Sequence, residues 1–207
     1  MRKTRHTQIA DGNGDLLFRI KEMSAMDLES WLLRAGKLME GEKGGKDPFL
    51  AAGILFEEGP LRLYIADAPT GGVLMEEMLA CCSIVDEFKR ETPLSRDNVD
   101  YFIEDLETLV SLRRKALILN LRFYPSGTRE PLELPREWTF RKAMEANTFA
   151  RPVNVPGITA SVVGQGMASL QGMQENYSFP DALDMLEVLN VRNYNQWAAH
   201  EAAKRGR

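Results

Sequence analysis

Apolar residues recur every three or four positions after residue 24, which is the spacing of an amphipathic helix. Ser24 is a suitable N-cap residue, and Asp27, three positions later, completes a capping box. Met23 and Leu28 occupy the positions at which apolar side chains pack across a helix start. Gly41 is expected to end the helix. The apolar face, expected to pack inside the protein, consists of Leu28, Trp31, Leu32, Ala35, Leu38 and Met39.

Two short apolar segments precede this helix and flank the turn sequence DGNGD. The segments are residues 7–10 and 16–20. Glycine and asparagine tolerate the positive φ angles that tight turns need. The pattern therefore predicts a β-hairpin that leads directly into the first helix.

Four further segments between residues 48 and 122 are apolar enough to form regular structure. PFLAAGILF, from Pro48, predicts a short buried helix, and LRLYIA, from Leu61, predicts a strand. After the helix-breaking sequence APTGG, a second long helix is expected from about Val73 to Phe88. Another is expected from about Asp105 to Arg122. Its predicted buried stripe consists of Leu106, Leu109, Val110, Leu117 and Leu121.

The pattern changes after Tyr124. Prolines become frequent, and residues 156–178 are rich in glycine, serine and glutamine, which is typical of a long loop. A final helical unit is predicted from Ser178, and Asn190 and Asn193 are candidates to divide it into two short helices. Its apolar positions are Leu183, Leu186, Leu189, Tyr194 and Trp197.

These patterns predict a mainly α protein: a helical domain with a small N-terminal β-hairpin, a long Pro/Gly-rich loop and a C-terminal helical unit. We divide the chain into residues 1–124, the hairpin plus helical domain; 125–177, an extended linker or loop region; and 178–207, the C-terminal helical segment. The linker leaves open that the C-terminal unit moves separately.

The overall charge gives little reason to expect a nucleic-acid partner. The 207 residues include 26 basic and 30 acidic side chains, a formal net charge of −4, so no general positive field attracts phosphates. The basic sequence RKTRH, residues 2–6, is expected to be a solvated tail. No apolar run reaches the ~18 residues of a membrane span, and the polar beginning lacks a secretory signal. We therefore expect a cytoplasmic protein with no membrane partner.

The residue types that most often perform catalysis are sparse. Cys81 and Cys82 are the only cysteines and are expected to be buried thiols, with Cys81 on the core face of the second long helix. His6 and His200 are the only histidines and lie near opposite ends of the chain. Motifs of serine hydrolases, P-loop proteins and zinc proteases are missing from the sequence. We therefore expect no enzyme activity and no cofactor, and an enzyme with an unfamiliar site stays an alternative.

Two short strings resemble ligand-binding motifs without completing them. DGNGDLLFRIKE, residues 11–22, places acidic or amide side chains at four positions of a calcium-binding loop, but Leu16 occupies the position that requires glycine. Gly164, Gly166 and Ser169 match part of a dinucleotide-binding loop, but no alternation of strands and helices surrounds them. The first string is expected to be the hairpin turn and the second a mobile loop.

Three segments follow one another in the order FRIKEMSAMDLESWLLRA from Phe18, EEMLACCSIVDEF from Glu76 and FIEDLETLVSLRRKALILNLRFY from Phe102. This order resembles that of the tail assembly chaperones of long-tailed bacteriophages, which often begin with the pattern F-R-I-x-E-M-x-A before a helix that contains tryptophan. The resemblance covers about residues 7–124. A further segment, DALDMLEVLNVRNYNQWAAHEA from Asp181, is similar to C-terminal parts of some members.

The resemblance implies a protein that binds other proteins and catalyses no reaction. Family members bind the long, largely helical tape measure protein, keep it soluble and help recruit tail tube subunits. The implied partners are therefore the tape measure protein and the tail tube protein, and self-association is left open. The implied location is the host cytoplasm during assembly, with the protein absent from the mature virion. The candidate protein-binding residues are Leu186, Leu189, Tyr194 and Trp197.

The alternative hypothesis is a permanent structural component of the virion, in the tail or the connector. In that case the Pro/Gly-rich region and the terminal helix would embrace neighbouring subunits, and the protein would be present in finished particles.

Overall fold

The computed structural model describes residues 2–11, 14–124, 132–135, 138 and 152–205, and it confirms a mainly helical protein with a small N-terminal sheet. The strands are β1 (Thr4–Asp11), β2 (Gly14–Lys21), β3 (Cys82–Val85) and β4 (Glu91–Pro93). The helices are α1 (Ala25–Gly44), α2 (Pro48–Glu58), α3 (Leu61–Ala66), α4 (Ala68–Leu79), α5 (Arg96–Phe102), α6 (Leu106–Asn120), α7 (Gly157–Gly164), α8 (Leu170–Glu175) and α9 (Phe179–Arg205).

The strands form one antiparallel sheet in the order β1-β2-β3-β4. β1 and β2 form the predicted hairpin, in register from Thr4 opposite Lys21 to Asp11 opposite Gly14, and turn residues 12 and 13 lie outside the described residues. The predicted solvated tail is wrong for residues 4–6, which belong to β1. Pairing with β2 gives their backbone groups partners that a free tail would lack.

The start of α1 follows the sequence prediction. The Asp27 N–H donates a hydrogen bond to the Ser24 hydroxyl at 3.1 Å, and that hydroxyl donates to the Asp27 carboxylate at 2.6 Å. The predicted end is wrong, because Gly41 has a φ of 64° and kinks the helix, which continues to Gly44. Glycine suits the kink since other residues rarely adopt this φ. The predicted face does pack inside: Leu28, Trp31, Leu32 and Ala35 are fully buried, and Leu38 and Met39 are partly buried.

Two predicted elements after α2 are wrong. LRLYIA forms α3 and not a strand, and the predicted helix Val73 to Phe88 ends at Leu79. Residues 82–85 instead form β3, which pairs with β2. Short apolar runs suit either a strand or a buried helical turn, and the elements available for pairing decide between them.

The glycine-rich sequence APTGG starts a helix instead of breaking one. The Asp67 carboxylate accepts a hydrogen bond from the Thr70 N–H at 3.0 Å and caps α4. Pro69 lies in the first turn, where its missing N–H has no helical partner to lose. Gly71 lies against the backbone of Leu63 in α3, where no Cβ would fit.

The substitution Gly71→Ala is expected to lower the free energy of unfolding by about 1–3 kcal/mol, because its Cβ would overlap the Leu63 carbonyl and push α3 from α4. The matched control is Gly72→Ala, whose Cβ would lie 3.7 Å from Cε1 of Tyr64, an ordinary contact. Alanine also favours a helix over glycine by about 1 kcal/mol. Urea denaturation measures the stability of both variants. If Gly71→Ala were as stable as Gly72→Ala, α3 could move away from α4 at no cost in free energy.

The C-terminal part is more regular than the sequence predicted. α7 and α8 lie inside the segment predicted to be a loop, residues 156–178, and α9 is one helix of 27 residues that continues through Asn190 and Asn193. Its predicted start is confirmed, since the N–H and the hydroxyl of Ser178 donate to the Asp181 carboxylate at 2.8 and 2.7 Å. Tertiary contacts stabilise such short helices, and local composition does not record those contacts.

The first turn of α9 belongs to the main core. Phe179 is fully buried, and its ring centre lies 5.0 Å from that of Phe123 and 6.3 Å from that of Phe49. The C-terminal unit therefore packs against the helical domain, although the division at residues 124 and 177 stays a prediction. A second, smaller cluster between α1 and helices α7 to α9 comprises Ala25, Val162, Met173 and Ala182.

One buried carboxylate also joins α1 to α7. Glu29 Oε1 accepts a hydrogen bond from the Ile158 N–H at 2.7 Å, and Oε2 accepts from the N–H and the hydroxyl of Thr159, both at 2.9 Å. These N–H groups belong to the first turn of α7, where no helical carbonyl is available to them. Burial raises the pKa of Glu29 above its usual 4.5, and the hydrogen bonds from the two N–H groups oppose this shift.

The beginning of the chain contacts the connection between α8 and α9. The Arg2 N–H donates to the Asn176 carbonyl at 3.2 Å, and the Arg2 guanidinium donates to the Glu175 carbonyl at 3.3 Å. The same guanidinium donates to the Glu22 carbonyl at 2.7 Å. The predicted tail is therefore held at residue 2 as well as in β1.

Candidate protein-binding groove

α6 carries apolar side chains on two sides. Of its predicted buried stripe, Leu106 and Val110 are instead 73% and 37% exposed, whereas the other members are buried or half-buried. Leu106, Val110 and Ile118 recur at multiples of four residues, so they follow a second line along the helix. This line faces away from the core and is available to another protein.

The end of α2 and the start of α3 form a second apolar wall. Phe56 and Leu61 are 41% and 58% exposed, and Gly59, with a φ of 78°, turns the chain sharply between the two helices. Between these helices and α6 lies a cleft of about 430 Å³, which we call the α2–α6 groove. It is lined by Leu55, Phe56, Glu57, Glu58, Gly59, Pro60, Leu61, Val110, Arg114, Leu117, Ile118 and Leu121.

Three charged side chains lie among these apolar residues. Glu58 pairs with Arg62 at 3.2 Å. Glu57 and Arg114 have no ion-pair partner in the part of the chain that the structure describes. One positive and one negative charge of the groove are therefore available to a partner.

Sequence reasoning did not identify this groove. The spacing of Leu106, Val110 and Ile118 is visible in the sequence, but periodicity alone does not separate a stripe that fills a core from one that faces solvent. The second wall depends on how α2 and α3 fold against α6, which no local pattern records.

The predicted protein-binding residues lie on α9 in two pairs. Leu186 and Leu189 line a cleft between α7 and α9, where Leu189 is buried and Leu186 is half-buried. The rings of Tyr194 and Trp197 lie 5.9 Å apart and both contact the ring of Trp138. The structure thus places each pair against other parts of the same chain, and their role in binding a partner stays a prediction.

A larger cleft of about 680 Å³ lies between the sheet and α1, and its lining includes several charged side chains. Its Arg34 guanidinium donates to the two Glu77 carboxylate oxygens at 2.8 and 2.5 Å, and Arg19 pairs with Glu91. These ion pairs satisfy much of the charge inside the cleft. We therefore take the smaller α2–α6 groove, with its exposed apolar lining, as the candidate functional site.

Cys82 is buried as predicted, whereas Cys81 is half-buried and lies in the turn after α4, not on the core face of a helix. Their limited contact with solvent makes both thiols poor nucleophiles. Burial raises the pKa of Cys81 from its usual 9.0 to about 12 and raises that of Cys82 as well. Since a raised pKa lowers the thiolate fraction and partly offsets this by raising the nucleophilicity of the thiolate, we expect iodoacetamide to alkylate Cys81 at least about tenfold more slowly in the native protein than in urea. Timed alkylation followed by mass spectrometry measures the two rates. Equal alkylation rates in native protein and in urea would show that the pKa of the native Cys81 thiol is not raised.

The strings that resemble ligand-binding motifs make structural contacts. The Asp11 carboxylate accepts a hydrogen bond from the Asp105 N–H at 3.1 Å, Glu22 points to other partners, and Asn13 lies outside the described residues. Ser169 caps α8, so the glycine-containing string connects two helices. Within the described ranges, no three histidine, cysteine or acidic side chains converge on a possible metal site. Of the helices described, none has the length and apolar character needed to cross a membrane.

The residues of the F-R-I-x-E-M-x-A motif make internal contacts. Phe18 and Ile20 are fully buried in the main core. Glu22 is also buried and pairs with a guanidinium just after α6, and the Met23 N–H donates to Asn120 Oδ1 at 2.8 Å. The motif therefore holds the hairpin against α1 and α6 and forms no open surface of its own.

Searches for related proteins found no matching family model, no matching curated protein and no matching solved structure. The resemblance stated above therefore rests on the motif and on the order of the three segments.

Proposed function

We propose that this protein is a tail assembly chaperone of a long-tailed bacteriophage, which binds the tape measure protein and helps recruit tail tube subunits. Motif order supports the proposal, and so does the kind of surface that the fold exposes. The role requires protein binding and no cofactor or chemical reaction. The protein would act in the host cytoplasm and leave before the virion is complete.

The observation that carries the proposal is the exposed apolar lining of the α2–α6 groove. A tape measure protein presents apolar helix faces until the tail tube encloses it, and a chaperone must cover them. Such helix faces can pack against the exposed side chains of Phe56, Leu61, Val110 and Ile118. Because the groove is small, its contacts are of the weak and exchangeable kind that a chaperone needs in order to leave.

The proposal is tested by co-expression with the tape measure protein encoded in the same genome. We expect the wild-type chain to keep that protein soluble and to co-purify with it. Val110→Asp and Ile118→Asp should abolish co-purification, because each replaces an apolar contact of the groove with a carboxylate that must lose its water when the partner binds. Val73→Asp, at another exposed helical valine, is the matched control and should bind normally.

Failure of the wild-type chain to bind or solubilise the tape measure protein, with and without tail tube protein, would rule out the proposed function. Mass spectrometry of purified virions separates it from the alternative of a permanent virion component. A chaperone should be absent from finished particles, whereas a structural component should be present in stoichiometric amounts.

A further inference from the structure

We infer that the α2–α6 groove receives an amphipathic helix that carries an acidic side chain opposite Arg114 and a basic side chain opposite Glu57. The inference rests on the proposed function, because that function supplies the partner: a helix of the tape measure protein.

The backbone of the groove explains why its occupant is a helix. The long wall is α6, whose interior N–H and C=O groups bond to each other, and at the α2 end the Gly59 N–H donates to the Leu55 carbonyl at 3.0 Å. An extended segment would find few backbone partners here, and its own polar groups would be buried unpaired. A helix satisfies its backbone internally and needs only apolar contacts from the groove.

The length of the groove sets how much of a helix it holds. Val110 and Ile118 are eight positions apart on α6, which corresponds to about 12 Å along the helix axis. This is roughly two turns, so the occupant contacts the groove through about three apolar residues at positions i, i+3 or i+4, and i+7. Leu106 extends the same line by one further turn.

The charges set which polar residues flank that apolar stripe. Arg114 follows Val110 by four residues and precedes Ile118 by four, so it lies midway along the α6 wall. Glu57 belongs to the opposite wall. An acid on one flank of the bound helix and a base on the other would pair both charges at once. A helix with flanks of one sign would leave one of the two walls facing a like charge.

Binding of synthetic helical peptides of about 18 residues tests this charge pattern. All peptides share one leucine stripe, and their flanks carry glutamate opposite lysine, lysine on both sides, or glutamine on both sides. We expect the wild-type full chain to bind the mixed peptide most tightly, as measured by fluorescence anisotropy at low salt. Arg114→Glu should weaken that binding about tenfold and make the peptide with two lysine flanks the preferred ligand.

Lys115→Glu is the matched control, because it changes the net charge equally on the neighbouring position of the same helix. It should leave the order of the peptides unchanged. Val110→Asp should abolish binding of all three peptides, which would place them in the groove. The gain of binding to the lysine peptide also shows that Arg114→Glu is folded.

The inference is overturned if the wild-type chain does not discriminate among the peptides, if Arg114→Glu leaves their order unchanged, or if Val110→Asp still binds them. It is also overturned if the chain alone forms dimers that Val110→Asp dissociates, since the occupant is then a second copy. If the tape measure protein still co-purified with Val110→Asp, the groove would not be its binding site, but the proposed chaperone function would stand. If the peptides bound in the expected order but the tape measure protein did not bind, the proposed function would be wrong, whereas the charge preference of the groove would stand.

Discussion

Replacing Trp31 with alanine is expected to lower the free energy of unfolding by about 3–5 kcal/mol. Trp31 is fully buried, and its indole N–H donates a hydrogen bond of 2.8 Å to the Leu74 carbonyl in α4. Alanine would leave a cavity between these helices and a buried carbonyl without its donor. Urea denaturation followed by circular dichroism measures the change.

Two further variants separate the causes of this effect. Trp31→Phe keeps a ring but removes the hydrogen bond to Leu74, so it should cost less than Trp31→Ala. Phe88→Ala is the surface control, because Phe88 is 69% exposed, and it should change the stability by no more than about 0.5 kcal/mol. A change below about 1 kcal/mol for Trp31→Ala would contradict the central position of this side chain.

Glu29→Ala is expected to cost about 3 kcal/mol and to loosen α7 from α1. The substitution leaves the N–H groups of Ile158 and Thr159, and the Thr159 hydroxyl, without their acceptor. Hydrogen exchange should therefore accelerate in α7 more than in α6. Glu40→Ala, at an exposed carboxylate of the same helix, is the matched control and should leave the exchange of α7 unchanged. Unchanged exchange in Glu29→Ala would show that other contacts hold α7.

The same carboxyl should give the stability a pH dependence that Glu29→Gln removes. Burial raises the pKa of Glu29 in the folded chain above the 4.5 expected when unfolded. Between these two values the folded state holds more protons than the unfolded state, so stability falls as the pH rises. The unfolding free energy of wild type minus that of Glu29→Gln should therefore be largest below pH 4.5, and it should decrease as the pH rises through the folded pKa. A constant difference would show that the pKa is not raised.

Local hydrogen-bonding signals made several helix starts predictable from the sequence. Ser24 and Ser178 each bond within three residues of themselves, so their capping residues can be recognised without knowing the fold. The buried face around Trp31 was predictable for a related reason, because the same spacing repeats over about three consecutive helical turns.

Elements that depend on distant residues were not predictable. β3 forms because β2 lies beside it. The Ile158 N–H at the start of α7 bonds to Glu29, which is 129 positions earlier in the sequence. The α2–α6 groove has the same origin. The sequence pattern predicts that Val110 lies in the core. Its exposure follows from the positions of α2 and α3 relative to α6, which the pattern does not record.

The contact between Arg2 and the residues before α9 also has a consequence for how the protein is made. Arg2 and Glu175 are 173 positions apart, so the ribosome must release all the residues up to Glu175 before their hydrogen bond can form. At roughly 5–20 residues per second, synthesis separates the emergence of these two residues by about 10–35 seconds. The hairpin, α1 and α6 are all released earlier. A nascent chain can therefore assemble the hairpin, α1 and α6 first, and Arg2 can bond to its distant partner only after Glu175 has emerged.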